Sequence, residues 1–162
     1  MGVIMQAFYW DCPGLEAKES QWWNLLASKI KSLSENGFTA LWLPPASKAA
    51  NLGGLSMGYD PYDYYDLGDI DQKGTVKTLF GSGDELKALI NTAHNQGMQV
   101  YADIVLNHTN GADEEELNGY DGKKRWTKYI PKIGRMVTGP IPGKFSAFGN
   151  VFGPSFFTVI AI

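Results

Sequence analysis

The chain has 162 residues, of which 44% are hydrophobic, 13% aromatic and 19% charged, which excludes a disordered polypeptide and supports one globular domain. Fourteen Lys and Arg stand against 17 Asp and Glu, a net charge of −3, and without a basic run this argues against binding nucleic acid by neutralising phosphates. The single cysteine, Cys12, excludes an internal disulfide framework and suits a reducing compartment.

At the N-terminus no basic residue precedes an apolar core, and Gln6 stands where a myristoylation motif requires Ser or Thr. Residues 3–10, VIMQAFYW, form an apolar run of strand length, expected to be buried on both faces as in a parallel sheet. Ser20 is placed to cap a helix carrying Trp22, Leu26, Ile30 and Leu33 on one stripe, with Asn36-Gly37 ending it. Trp22 and Trp23 read as core residues. Residues 38–43, FTALWL, make a second strand, stopped by Pro44-Pro45, so the first 43 residues read as a βαβ unit.

Residues 44–81 are rich in Gly, Asp and Tyr and are expected to hold only short structure, which in a compact domain marks a functional loop. Ser82-Gly83-Asp84-Glu85 is a capping box. Leu86, Leu89, Ile90 and Ala93 follow at helical spacing to Gly97, with Lys87, Asn91 and His94 on the opposite, solvated stripe. Residues 98–106, MQVYADIVL, are a third strand, ending at Asn107-His108. The order β-α-β-loop-α-β predicts a parallel sheet of either the doubly wound or the (β/α)₈ barrel kind. In both, ligands gather beyond the carboxyl ends of the strands, here Trp10-Asp11, Pro44 onward and Asn107-His108.

Residues 109–130 run from Asp113-Glu114-Glu115-Glu116 to Lys123-Lys124-Arg125 and read as an exposed loop or small subdomain. From residue 131 to 162 there is no acidic residue, and only Lys132, Arg135 and Lys144 are charged. This tail has no convincing period. Its longest apolar stretch is broken by Gly153, Pro154 and Ser155, short of the roughly 20 residues a spanning helix needs. The expectation is a cytoplasmic chain with no nucleic-acid and no membrane partner.

Two clusters could carry chemistry. Asp103, Asn107 and His108 gather where a buried strand surfaces, and Asp103 and Asn107, four apart, would share one side of that strand. The Asn carbonyl suits calcium, and the His can hold a hydroxyl or a developing negative charge. The same residues could equally pair internally and cap a turn. In residues 58–67, GYDPYDYYDL, aromatic rings alternate with carboxylates. Rings stack on the apolar face of a pyranose while carboxylates accept from its hydroxyls, although an aromatic-packed loop with solvated acids has the same composition. Glycoside hydrolysis needs paired carboxylates, and spacing alone does not show which would face each other. No Gly-rich phosphate loop and no Gly-x-Ser-x-Gly elbow is present.

Together, GVIMQAFYWD, ALWLPPASK and the run from MGYDPYDYYDLGDID to ADIVLNH resemble the alpha-amylases of glycoside hydrolase family thirteen, in the liquefying form of bacteria, archaea and plants. Four motifs stand in the right order over residues 2 to about 110. The resemblance implies an α/β fold, a (β/α)₈ TIM barrel represented by its first three or so units. Residues 1–107 would belong to the barrel, 108–130 would begin an inserted domain B, and 131–162 do not match. The loss of acids in that tail is what a shifted reading frame or gene-model error leaves.

The implied substrate is an α-1,4-glucan such as starch, or a maltooligosaccharide, hydrolysed internally with retention. Tyr59 matches the tyrosine stacked on the sugar beside the scissile bond, His108 the histidine on that sugar's hydroxyls, and Trp10 an aromatic of the cleft floor. Asp103 matches an aspartate supporting the strand end, and Asn107 a ligand of a structural calcium whose other ligands find no match. The family's nucleophilic Asp and acid/base Glu lie on later strands, beyond residue 162, so this chain alone is expected to be inactive. A non-catalytic glucan-binding or interaction fragment, or another enzyme of the clan such as an α-glucosidase or branching enzyme, are the alternatives. Three parallel strands cannot close a barrel, and self-association through exposed sheet edges is expected.

Overall fold

The computed structural model describes residues 2–10, 12–13, 21–130 and 132, and the backbone of a strand at Phe157–Ala161. The elements run β1 (Ile4–Gln6), α1 (Trp22–Glu35), β2 (Ala40–Leu43), β3 (Lys48–Ala49), β4 (Pro61–Asp63), α2 (Gly83–Asn95), β5 (Gln99–Val105), β6 (Glu114–Leu117), β7 (Lys124–Lys128) and β8 (Phe157–Ala161), with a 3₁₀ turn at Leu52–Gly54. No helix among them is long and apolar enough to cross a membrane.

Both helices follow their sequence signals. In α2 the Ser82 hydroxyl accepts from the Glu85 amide while the Glu85 carboxylate accepts from the Ser82 amide, closing the expected capping box. α1 starts on Gln21 with no side-chain cap, and Ser20 lies outside the described residues, as does Asp11. Each helix ends on a Schellman pair. Gly37 and Phe38 donate to the Ser34 and Leu33 carbonyls, and Gly97 and Met98 to those of His94 and Ala93. His94 is exposed, as its stripe predicts.

β1, β2 and β5 pair in parallel, in that spatial order. Right-handed crossovers that advance in one direction put their helices on one face, and α1 does pack against α2. Trp23, Ile30, Leu41, Leu43, Leu89 and Val100 are completely or almost completely buried in the layer between helices and sheet. Each Ile or Leu sealed there is worth about 1.5–3 kcal/mol relative to an exposed one. Same-face helices are the arrangement of a barrel, and this decides against the doubly wound alternative. Pairing parity then puts Trp42, Tyr101, Asp103 and Val105 on the opposite, inner face.

Two expectations need correction. Residues 3–10 are not a strand buried on both faces: the ladder covers Ile4–Gln6, extended by the Val3 carbonyl accepting from the Thr39 and Ala40 amides and by the Ala7 amide donating to the Trp42 carbonyl, and Ile4 is 52% exposed. The reason is that β1 borders the sheet and has one neighbour. The sheet also has four strands rather than three, because β8 pairs antiparallel with β5 from Tyr101↔Ala161 to Val105↔Phe157. That covers the outer edge of β5, so β1 and β8 are the edge strands of this sheet.

The segment 109–130 is a hairpin. β6 and β7 are antiparallel, with Glu114 ion-paired to Lys128 and the Thr127 hydroxyl donating to Glu116. The acidic run and the basic run are therefore facing strands, as cross-strand pairing of opposite charges favours.

The long β2–α2 segment is held by a buried ion pair. Lys48 is fully buried 3.6 Å from the equally buried Asp66, and its ammonium donates to the carbonyls of Thr75, Val76 and Lys77. Burial pulls the Lys48 pKa below its ordinary value, opposed by Asp66. Asp66 in turn accepts from the Gly68 and Asp69 amides and the Gln72 side chain, which also donates to buried Asp63. Removing one partner strands a buried charge and three carbonyls. Lys48→Met is therefore expected to destabilise the chain by roughly 3–5 kcal/mol in urea unfolding.

A second junction joins the helices to this segment. Burial acts to raise the Glu85 pKa, but hydrogen bonds from Lys77, the Ser82 amide and Asn24, with the Lys77 charge, outweigh it and hold the value at about 2. A folded-state value below the ordinary 4.5 means that Glu85 contributes stability in full above about pH 4.5 and loses it as pH falls towards 2. Glu85→Gln should flatten that acid limb in melting temperatures measured from pH 5 to 2.

Candidate functional site

The carboxyl ends of β1, β2 and β5 open on the same side of the sheet, and the expected residues collect there. Trp10 follows β1, Tyr59 stands in the turn leading to β4, Asp103 belongs to β5, and Asn107 and His108 follow β5. Gly58 sets the approach of that turn: its φ is +87°, and a Cβ there would lie 2.6 Å from the Pro45 carbonyl oxygen. Only glycine lets the chain pass so close to the Pro44-Pro45 corner.

The rings of Trp10 and Tyr59 are stacked, with centroids 6.0 Å apart and planes inclined by 19°. Trp10 is 69% exposed, so this pair forms an aromatic surface at the mouth of the site. The Tyr59 hydroxyl donates to Asp103 Oδ2 at 2.9 Å. The His108 Nε2 lies 2.9 Å from the Tyr59 carbonyl oxygen, and the Tyr64 hydroxyl donates to the His108 carbonyl at 2.8 Å. Trp10, Tyr59, Asp103 and His108 are thus one connected group.

Asn107 does not join it. β5 stops at Val105, so strand alternation does not reach residue 107, and Asp103 is buried while Asn107 is exposed. The expected common side for these two residues is corrected accordingly. A calcium ion takes six to eight oxygen ligands. Among the described residues no group of three or more His, Cys, Asp or Glu gathers, so these residues do not by themselves build such a cage.

Asp103 is the electrostatic centre. Burial raises its pKa, opposed by the Tyr59 hydroxyl and the Trp42 indole. Its Oδ1 and the Trp42 Nε1 are both buried without a hydrogen bond: the indole is near enough to favour the carboxylate but outside bonding geometry. The Tyr59 hydroxyl is pushed up by burial, by its bond to Asp103 and by that carboxylate's charge, and stays protonated as a donor. Burial also pushes the Tyr64 hydroxyl up, to about 12.

Sequence reasoning missed the partners that tie the site together. Tyr62 donates to Asp113 Oδ2 at 2.6 Å, and Lys73 reaches Asp113 Oδ1 at 2.8 Å. Tyr62 lies in β4 and Tyr64 in the turn just after it, so alternation does not relate them, and the aromatic-rich run of residues 58–67 is the sequence signal that marks both. Nothing local marks Lys73 or Asp113.

The family described as alpha amylase, catalytic domain, matches residues 21–152. The matched span therefore reaches into the tail beyond residue 130. A glucan 1,4-alpha-maltohexaosidase of Bacillus sp. (strain 707) is 43% identical over 116 residues, 72% of this chain and 21% of the relative. An alpha-amylase of Bacillus licheniformis is 42% identical over 115 residues, 71% of this chain and 21% of the relative. A cytoplasmic alpha-amylase of Escherichia coli (strain K12) is 40% identical over 114 residues, 70% and 22% respectively. The chain thus spans about a fifth of the length of these curated relatives.

The geometry makes the Tyr59 hydroxyl the direct hydrogen-bond donor to a buried carboxylate. Tyr59→Phe should cost about 1–3 kcal/mol in denaturant unfolding, because Asp103 keeps its burial and loses that donor.

Proposed function

Since the chain belongs to the alpha-amylase catalytic-domain family, we propose that it supplies the sugar-holding wall of a glycosidase that cleaves internal α-1,4 bonds of starch-like glucans with retention of configuration. The whole enzyme runs this reaction with carboxylates from later strands. The 162 residues here hold substrate and do not by themselves turn it over.

One observation carries the reading: an exposed aromatic stack, Trp10 on Tyr59, stands beside His108 at the carboxyl ends of parallel strands. Pyranose rings offer apolar C–H faces to aromatic rings and hydroxyls to polar rims. Trp10 and Tyr59 provide the first and His108 the second. In this reading Asp103 is a positioning residue, fixing the Tyr59 ring through its hydroxyl. Residues 1–107 form the opening βα units of the barrel and 108–130 the start of domain B. Asn107 would give one oxygen to a structural calcium.

Isothermal titration with maltoheptaose tests this. Saturable binding is expected without release of reducing sugar. Tyr59→Ala should weaken binding at least tenfold, about 1.4 kcal/mol. Turnover by this chain that disappears on mutating one of its own carboxylates would overturn the division of labour proposed.

A further inference from the structure

Lys73 sits in a turn for which its own side chain is a poor choice. Gln72 and Thr75 exchange backbone hydrogen bonds across Lys73-Gly74, and both central residues have positive φ, +56° and +97°. That is the type I′ pattern, where Asn-Gly or Gly-Gly is favoured and a long side chain in the left-handed region is disfavoured. Backbone held in such a conformation directs attention to what the side chain does.

The Lys73 ammonium lies 2.8 Å from Asp113 Oδ1, 2.6 Å from the Gly111 carbonyl oxygen and 3.9 Å from the centre of the Tyr62 ring. Asp113 is fully engaged around it, accepting from the Tyr62 hydroxyl and the Ile130 amide on Oδ2. Cation, carboxylate and ring therefore close on one another across the junction between the β2–α2 segment and the start of the β6–β7 hairpin. The same junction carries the Asn110 amide on the Pro61 carbonyl and the two contacts of His108 with Tyr59 and Tyr64. Gly111 is pressed so close to the residue after β3 that a Cβ there would lie 2.5 Å from the Ala50 Cβ.

We propose that Lys73 is a positioning residue for the sugar site: by clamping Asp113 and Gly111 onto Tyr62 it holds residues 108–113 against residues 59–64, which flank and include β4, and so fixes His108 beside Tyr59. The role of that site rests on the glucan-binding reading above, whereas the clamp itself does not. The turn accepts an unfavourable backbone at Lys73 because only a long cation from that point reaches the Gly111 carbonyl, Asp113 and the Tyr62 ring together. A merely structural turn would improve with Asn at this position.

Lys73→Asn supplies the side chain the turn favours and removes the cation, while Asp113→Asn keeps the shape and removes the charge from the other side. Imidazole NMR signals report the outcome directly, because the chain has two histidines and His94, exposed on α2, serves as the internal reference. Both variants should shift the His108 signals and leave those of His94 in place. Lys73→Asn should keep or raise the melting temperature and yet bind maltoheptaose roughly tenfold more weakly, the range expected when a charge-assisted hydrogen bond is lost. His108 signals unmoved in either folded variant would overturn the clamp. If His108 moves in both variants while the wild-type chain takes up no maltoheptaose, the clamp stands and the glucan reading falls.

Discussion

The lysine–aspartate pair sealed beneath the β2–α2 segment is the contact on which the rest depends. A connection that runs from Pro44 to Gly81 has little regular structure and cannot hold a shape by backbone ladders alone. Lys48 compensates by threading its ammonium into that segment's interior, where it satisfies three consecutive carbonyls and faces Asp66. Asp66 passes the constraint to the Gly68 and Asp69 amides and, through Gln72, to Asp63 at the end of β4. Burying two charges is costly, and replacing such a pair with apolar residues is often neutral for stability. What the pair provides here is a unique arrangement of an otherwise irregular loop, since only one folding of the segment brings all these acceptors to one ammonium.

That arrangement places the aromatic residues. With β4 pinned by Asp63 and Gln72, the preceding turn carries Tyr59 over β5, while β4 itself and the turn after it carry Tyr62 and Tyr64 towards residues 108–113. The hydroxyl of each tyrosine reaches a different acceptor: Asp103 on the inner face of the sheet, Asp113 before the hairpin, and the His108 backbone between them. Three phenols of one segment stitch the strand end and the hairpin to the same loop. A site built in this way keeps a rigid framework under an exposed stack of rings, a combination that suits the proposed sugar ligand.

Much of the framework was legible in the residues. The Ser82–Glu85 capping box, the glycines ending both helices and the apolar runs of β2 and β5 are local signals, and each produces the element it announces. The clustering of Trp10, Tyr59, Asp103 and His108 was legible through motif resemblance, because parallel strands deliver their carboxyl ends to one side. Where local reading went astray, the reason is positional. Val3 and Ile4 look like core residues by type, but an edge strand has one neighbour and leaves them exposed. Asn107 looks paired with Asp103 by alternation, but alternation ends with the strand at Val105. The acidic and basic runs of residues 113–128 read as an exposed loop or small subdomain, and antiparallel pairing, which no local signal announces, sets them opposite each other.

By itself, then, the sequence determined both helices and the strands β2 and β5, since these follow from periods of 2 and 3.6 and from end signals within a few residues. The tertiary structure alone decided that Lys48 is buried, that Tyr59 bonds to an aspartate 44 residues away, that Lys73 closes on Asp113, and that the strand of residues 157–161 covers the edge of β5. Those pairings depend on how an aperiodic loop folds back on the sheet. No spacing along the chain encodes that path, because it is set by long-range satisfaction of buried charge and backbone hydrogen bonds.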